Sequence, residues 1–314
     1  MNKVKNEEKK QDLKEETFGI VVKEWLRDRK KEVKESTFSH YRYVIKKYLI
    51  GELGDDSIES MEKKNYNELI EKLSQELSTK TVRDIIIILR SILEYANANY
   101  GYNIKIQQIK VPKLEQEPII ILNKNEQDRM RVYCLKENSL RSIGIFICLS
   151  TGLRIGEICA LKWNNIDLEK REIRIRNTLQ RIYDEDLKQT KVVIDKPKTR
   201  TSIRNIPISN KLYNILKEIE KDHHEDDFFL TGSSELHIEP RIYRDYFKKI
   251  LRKSKIKNHY KFHILRHTFA TNCIEVGMDT KSLSEILGHA TIEMTLNKYV
   301  HSSFERKKKF LEKI

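Results

Sequence analysis

The run Thr151-Gly-Leu-Arg-Ile-Gly-Glu-Ile-Cys-Ala-Leu161 sets two charged residues into an otherwise apolar segment punctuated by glycine. Gly152 reads as a turn, which puts Arg154 at a helix start and Glu157 one turn on. Taken alone, the pair is an ordinary buried arginine neutralised by a neighbouring carboxylate. Downstream, however, three more segments place polar residues in apolar surroundings. Pro197-Lys-Thr-Arg200 is a basic tip between two predicted strands, and His263-Ile-Leu-Arg-His-Thr-Phe-Ala-Thr271 puts His263 and Arg266 one helical turn apart on one face. Leu287-Gly-His-Ala-Thr291 is followed by Asn297-Lys-Tyr-Val-His301, which carries Tyr299. Each has a bland explanation: a solvated hairpin tip, a capping histidine beside a surface arginine, one structural tyrosine among 14.

The surroundings of these segments define two domains. Residues 1–15 are almost entirely polar or charged and read as a solvated tail or linker. From residue 16 to 103 four apolar stripes recur at helical spacing. They run through Phe18, Val21, Val22, Trp25 and Leu26; through Tyr41, Val44, Ile45 and Tyr48; through Tyr66, Leu69, Ile70, Leu73 and Leu77; and from Val82 to Ala96. Residues 104–118, with Pro112 and Pro118 and no sustained period, read as an interdomain linker. In 119–314, helices flank period-two stretches at 172–176, 192–195 and 203–208, which predict one small antiparallel sheet. The expected fold is mainly α with a small antiparallel β-sheet.

Bulk properties narrow the class. With 314 residues the chain is long enough for about two cores. Lys and Arg number 61 against 47 Asp and Glu, a net charge of +14 that favours a polyanionic partner. The four cysteines have neither metal nor disulfide-framework spacing and read as reduced core thiols. Nothing reaches the roughly 18 apolar residues of a membrane span, and no signal peptide is evident, so a cytoplasmic protein without a membrane partner is expected.

In this order, the four segments resemble the tyrosine recombinase, or phage integrase, family. Its pattern is an Arg in a GLRxGE-like helix start, a Lys on a β-hairpin, an HxxR, a His in LGH and a nucleophilic Tyr shortly after. The matches are Arg154, Lys198, His263 with Arg266, His289 and Tyr299. Lys196, Lys198 and Arg200 crowd the same turn; Lys198 is chosen because the family's lysine commonly sits in a PKT-like sequence. The resemblance implies a helical core-binding domain ahead of a mixed α+β catalytic domain. It also implies strand cleavage through a covalent 3′-phosphotyrosine, with the two arginines clamping the phosphate, Lys198 protonating the leaving oxygen, and His263 and His289 managing the tyrosine proton. Glu157 is expected to orient Arg154, and His267, on another face of its helix, to be structural.

The phosphotyrosine conserves the energy of the broken bond, so neither a cofactor nor a metal is implied. The implied partners are duplex DNA at specific recombination sites, further copies in a synaptic tetramer, and an excision or directionality factor of a bacterial or phage-borne mobile element. Arg42, Lys46, Lys80 and Arg83 are the expected DNA contacts of the first domain, and the segment from Phe304 to Ile314 is expected to dock on a neighbouring copy. Two rival readings stay open: a catalytically silent DNA-binding protein on the same fold, and a type IB topoisomerase-like enzyme.

Overall fold

The computed structural model describes residues 16–115, 118–184, 187–196, 200–220, 223–299 and 311–312, with residue 200 described by its backbone alone. Pro197, Lys198 and Thr199, and almost all of the segment from Phe304 to Ile314, lie outside the described residues. The chain divides into two compact units, one reaching residue 117 and including 183–189, the other comprising the rest.

The first unit is helical. Helix α1, Phe18–Glu32, buries Phe18, Val21, Val22 and Trp25, and α2, Glu35–Val44, continues through a π-helical turn, Ile45–Leu49, and a last turn, Ile50–Leu53. The wider π turn holds Ile45 and Leu49 on the same buried side as Val44 and Leu53. After a short turn of helix at Ile58–Met61 come α3, Tyr66–Glu76, and α4, Thr79–Tyr100. Ser78 caps α4 by accepting from the Thr81 amide, and Gly101 ends it at φ 76°, a left-handed conformation that costs glycine little. Val82, Ile85, Ile86, Leu89, Ile92, Leu93 and Ala96 make one fully buried stripe that closes the core.

The expected linker starts too early. Ile104, Ile106 and Ile109 are buried in the same helical core. Their spacing follows no regular period because this segment is a short 3-10 turn with extended flanks, so a periodicity reading sees only its prolines.

In the second unit, α5, Lys124–Glu137, begins with a capping box between Asn123 and Glu126. Helix α6, Leu140–Thr151, is apolar almost all round and runs through the centre of the core. Gly144 permits this: a Cβ there would stand 2.4 Å from the Tyr243 hydroxyl. Cys134, Cys148 and Cys159 are buried here as free thiols. Helix α7, Ile155–Cys159, follows at once.

The β-structure forms two sheets rather than the one expected. Strands β1 (Ile166–Asp167), β2 (Glu172–Ile175) and β5 (Arg204–Pro207) form an antiparallel sheet in the order β1-β2-β5, with Ile173 opposite Ile206 and Ile175 opposite Arg204. Strands β3 (Thr178–Asp184) and β4 (Gln189–Asp195) pair separately. Strands β4 and β5, before and after residues 197–200, therefore belong to different sheets. Helices α8 (Asn210–Ile219) and α9 (Pro240–Lys253, with its proline at the tolerated N-terminal turn) complete the main core.

Three further helices finish the unit: α10 (Ile264–Glu275), α11 (Thr280–Leu287) and α12 (Ile292–Tyr299). Ala270, Cys273, Ile274, Leu283, Leu287 and Tyr299 pack them together. No helix among the described residues is long and apolar enough to cross a membrane.

Candidate active site

Two helix ends and one strand converge on Glu157. Helix α6 stops at Gly152, φ 70°, and after Leu153 α7 starts with the extended Arg154 as its N-cap. The Glu157 carboxylate reaches back to accept from the Arg154 backbone amide at 2.9 Å, satisfying one of the donors a helix start leaves open. The same carboxylate accepts from Arg154 Nη1 at 2.8 Å and, bidentately, from Arg204 Nη1 and Nη2, both at 2.9 Å. Gly156 allows this turn to lie flat on β3, since a Cβ there would come within 2.8 Å of the Leu179 carbonyl.

Sequence reading passed over Arg204. The β2–β5 register faces it inward beside Ile206, so period two in Arg-Asn-Ile-Pro was the available signal: a charged residue on the buried face of a strand. Besides holding Glu157, its Nε donates to the Ile286 carbonyl at 2.5 Å, which fastens the end of α11.

Arg154 and Arg266 arrive at consecutive carbonyls. Arg154 Nη2 donates to Gly288 O at 3.0 Å, and Arg266 Nη2 donates to Leu287 O at 2.8 Å. Arg266 Nη1 donates to Gly152 O at 3.0 Å. Arg266 is buried to 1% exposure, whereas the Arg154 side chain keeps 35%. Gly288, at φ 64°, makes the turn possible, and a Cβ there would press on Arg204 and on the Thr201 carbonyl at 3.0 Å. Two guanidiniums thus hold one carboxylate while a third is fixed on nearby carbonyls, an arrangement with surplus positive charge suited to an oxyanion.

The electrostatics follow from that crowding. Burial alone would raise the Glu157 carboxyl, but hydrogen bonds and charge from Arg204, then Arg154, hold it at about 2. Burial and then Arg154 lower Arg266 to about 9, which leaves it cationic at neutral pH. Desolvation, followed by the Arg266 and Arg154 charges, lowers His289 to about 3. His263 moves down as well, through desolvation and then His267, Arg266, Lys298 and Arg154, although part of the residue stays exposed.

A consequence for stability can be measured. The Glu157 carboxyl sits below its ordinary 4.5, so the stability it contributes is present above that pH and is lost as pH falls through about 2. Glu157→Gln is expected to lower unfolding stability by about 3 kcal/mol at pH 7. In denaturant titrations the gap should narrow as the pH is taken from 4.5 towards 2; a gap independent of pH would show the carboxylate charge to be irrelevant.

Tyr299 ends α12 and is 6% exposed. Burial raises its hydroxyl pKa, while Arg266 and Arg154 oppose that rise. Its ring lies parallel to that of His289, centroids 6.3 Å apart, and His289 Nδ1 pairs with Thr295 Oγ1 at 2.7 Å. The hydroxyl itself is hydrogen-bonded to His267 Nδ1 at 2.8 Å. His267 thus belongs to this cluster, contrary to the sequence expectation, because α12 packs on the face of α10 that carries it.

The structure therefore brings Arg154, Glu157, Arg266, His289 and Tyr299 together, with His263 reaching the cluster through His267, 4.6 Å from ring to ring. Lys198 is outside the described residues. Arg42, Lys46, Lys80 and Arg83 lie in the other unit, on or beside α2 and α4; Arg83 Nη1 donates to the Pro112 carbonyl at 2.9 Å. Among the described residues no group of three or more His, Cys, Asp or Glu is arranged to hold a metal ion.

Comparison with known proteins identifies the family. The phage integrase family model matches residues 114–306, and the model for the phage integrase N-terminal SAM-like domain matches residues 17–74. A XerC-like tyrosine recombinase of Caldanaerobacter subterraneus subsp. tengcongensis is 30% identical over 321 residues, which cover 92% of this chain and 80% of that protein. The transposase from transposon Tn916 of Enterococcus faecalis is 31% identical over 210 residues, 60% of this chain and 49% of the transposase, so the chain spans about half its length. In fold, the chain is similar to the integrase of transposon Tn1549 solved with transposon right end DNA, with a TM-score of 0.75 at 23% identity over 95% of this chain and 99% of that one. A lambda integrase tetramer bound to a Holliday junction gives a TM-score of 0.65 at 14% identity over 92% of this chain and 80% of its own. The chain belongs to the phage integrase family: it is a tyrosine recombinase, an enzyme of site-specific DNA recombination.

Proposed function

We propose that Tyr299 attacks a DNA phosphodiester and retains the 3′ phosphate, freeing a 5′ hydroxyl. The observation that carries this is the placement of a buried tyrosine hydroxyl in one cluster with two arginines anchored on the consecutive carbonyls of Leu287 and Gly288. Arg154 spends two of its five donors on the protein, Arg266 two on carbonyls and one on the Tyr299 hydroxyl, and each has others for phosphate oxygens. Charge gathering on those oxygens during attack is what such preorganised donors stabilise. Glu157 and Arg204 hold Arg154 in place, and Lys198 supplies the proton to the departing oxygen.

The same step run backwards rejoins strands, since a 5′ hydroxyl can attack the phosphotyrosine without ATP. Applied twice between two sites, it integrates or excises a mobile element, in keeping with the transposon relatives. Duplex DNA at specific sites is the partner, with Arg42, Lys46, Lys80 and Arg83 on its backbone in the first unit. Two duplexes require a synaptic assembly, a tetramer, and a directionality factor would choose between integration and excision. The work is done in the cytoplasm, where the element's DNA resides.

A nicked suicide substrate tests this. With it the protein should form a DNA adduct that survives denaturation and is unaffected by EDTA, and peptide mass spectrometry should place the nucleotide on Tyr299. DNA binding with no adduct would leave the silent-binder reading, and relaxation of plasmids lacking any recombination site would point to a topoisomerase. An adduct on another residue would refute the assignment.

A further inference from the structure

The Tyr299 hydroxyl must lose its proton as it attacks, and the structure singles out a recipient. His289 lies parallel to the tyrosine ring with centroids 6.3 Å apart, and its Nδ1 is committed to Thr295. The contact His263 makes within the cluster is with His267, ring edge to ring face, at 4.6 Å. Two side chains hydrogen-bond the hydroxyl: Arg266, a cation that can only donate, and His267, whose Nδ1 stands 2.8 Å from it and can accept. We infer that His267 is a catalytic residue: it accepts the phenolic proton on Nδ1 as Tyr299 bonds to phosphorus. The inference rests on Tyr299 being the nucleophile.

The protonation states are compatible with that direction of transfer. Burial raises the Tyr299 hydroxyl, so at neutral pH the phenol keeps its proton and can donate it. Burial, then Lys298 and Arg266, lowers His267 to about 4, so its imidazole is neutral and can accept. The groups facing this pair are Arg266 on the same helix, Lys298 on α12, Arg154 across the site, and the rings of His263 and His289. All are basic. An imidazole in such a field is a weak base until negative charge arrives beside it. A phosphodiester seated on Arg154 and Arg266 supplies that charge and raises the imidazole towards working basicity, so deprotonation is tied to the presence of DNA.

The step balances as follows. The Tyr299 O–H bond breaks and its proton passes to His267 Nδ1, giving an imidazolium with Nε2–H already in place. The freed oxygen pair forms the O–P bond, the P–O5′ bond breaks, and the departing oxygen takes a proton from Lys198. On rejoining, the 5′ hydroxyl gives its proton back to Lys198 as it attacks phosphorus, the Tyr299 O–P bond breaks, and His267 returns its proton to the phenol oxygen. The exposed His263, edge-on to His267 at 4.6 Å, gives the imidazolium a neighbour through which to exchange.

Single-turnover cleavage of the suicide substrate by His267→Gln tests the assignment, since Gln can still hydrogen-bond the hydroxyl but cannot take its proton. At pH 7 the adduct should still form on Tyr299 but about a hundredfold or more slowly, with DNA affinity unchanged. Its rate should then climb about tenfold per pH unit towards the tyrosine pKa, near 10 in the free side chain, as hydroxide replaces the base. Placing a more acidic difluorotyrosine at 299 should restore the variant near neutrality. A substrate with a bridging 5′ sulfur, whose leaving group needs no proton, should not restore it. Wild-type speed in His267→Gln, a flat pH profile, or rescue by the sulfur substrate would each overturn the role. If the substitution unfolds the chain, nitrogen-15 spectra of wild-type histidines decide instead: an unprotonated Nδ1 at His267 is required, and a hydrogen there refutes it. An adduct on a residue other than Tyr299 would instead remove the nucleophile assignment beneath it.

Discussion

Tyr299→Phe should bind recombination-site DNA with wild-type affinity and form no covalent adduct at all. The substitution removes one oxygen and leaves the ring, which packs with Ala270, Ile274, Leu283 and Leu287 and lies parallel to His289. The lost hydroxyl is bonded to His267, which keeps an exposed part and can turn to water, and to Arg266, which keeps the Gly152 and Leu287 carbonyls. Removing the donor therefore leaves little unsatisfied, and stability should change by no more than about 1 kcal/mol. The chemistry loses its nucleophile entirely. Gel-shift titration beside denaturing electrophoresis of the suicide complex separates the two quantities. Residual adduct at even a tenth of the wild-type level would show that another residue can attack.

Some of this site could be read from sequence because its contacts are local. Arg154 and Glu157 are three residues apart, and an N-terminal turn brings them together whatever the rest of the chain does. His263 and Arg266 are likewise fixed by one helix start. The contacts that escaped are made between elements. Arg204 meets Glu157 only because β5 pairs with β2 in one register, and His267 meets Tyr299 only because α12 packs on α10. No periodicity within α10 could distinguish a histidine facing solvent from one facing a tyrosine 32 residues downstream.

The fold shows the same division. The stripe along α4 spells out its helix, and Ser78 and Gly101 mark its ends. Strand β3 was passed over because its buried residues, Leu179 and Ile182, are three apart, so the alternation that identifies a half-buried strand is broken. With β3 missing, β4 and β5 looked like neighbours in one sheet. The basic 197–200 segment accordingly read as a hairpin tip, whereas its flanking strands belong to different sheets.

Arg266→Lys should cut cleavage by about a hundredfold or more while leaving the protein folded. Arg266 occupies a closed position, with Nη1 on Gly152 O and Nη2 on Leu287 O, and so joins the end of α6 to the end of α11. Alanine there would strand two buried carbonyls at about 1–3 kcal/mol each, and a lost activity could then reflect a loosened site. Lysine keeps the charge and can satisfy a carbonyl, but one ammonium cannot hold both carbonyls and also present a planar pair of donors to phosphate. Arg154 offers the complementary control. It is partly exposed, and if it is removed Glu157 remains paired with Arg204, so Arg154→Ala should fold nearly as well as wild type. Its cleavage should nonetheless fall on a similar scale, because the phosphate loses one of its two cationic clamps. Measured together, the pair of variants distinguishes positioning from charge. If Arg266→Lys cleaves at wild-type speed, charge alone suffices at that position. If Arg154→Ala does so, the phosphate does not sit between the two guanidiniums, and the geometry proposed for the attack of Tyr299 is wrong.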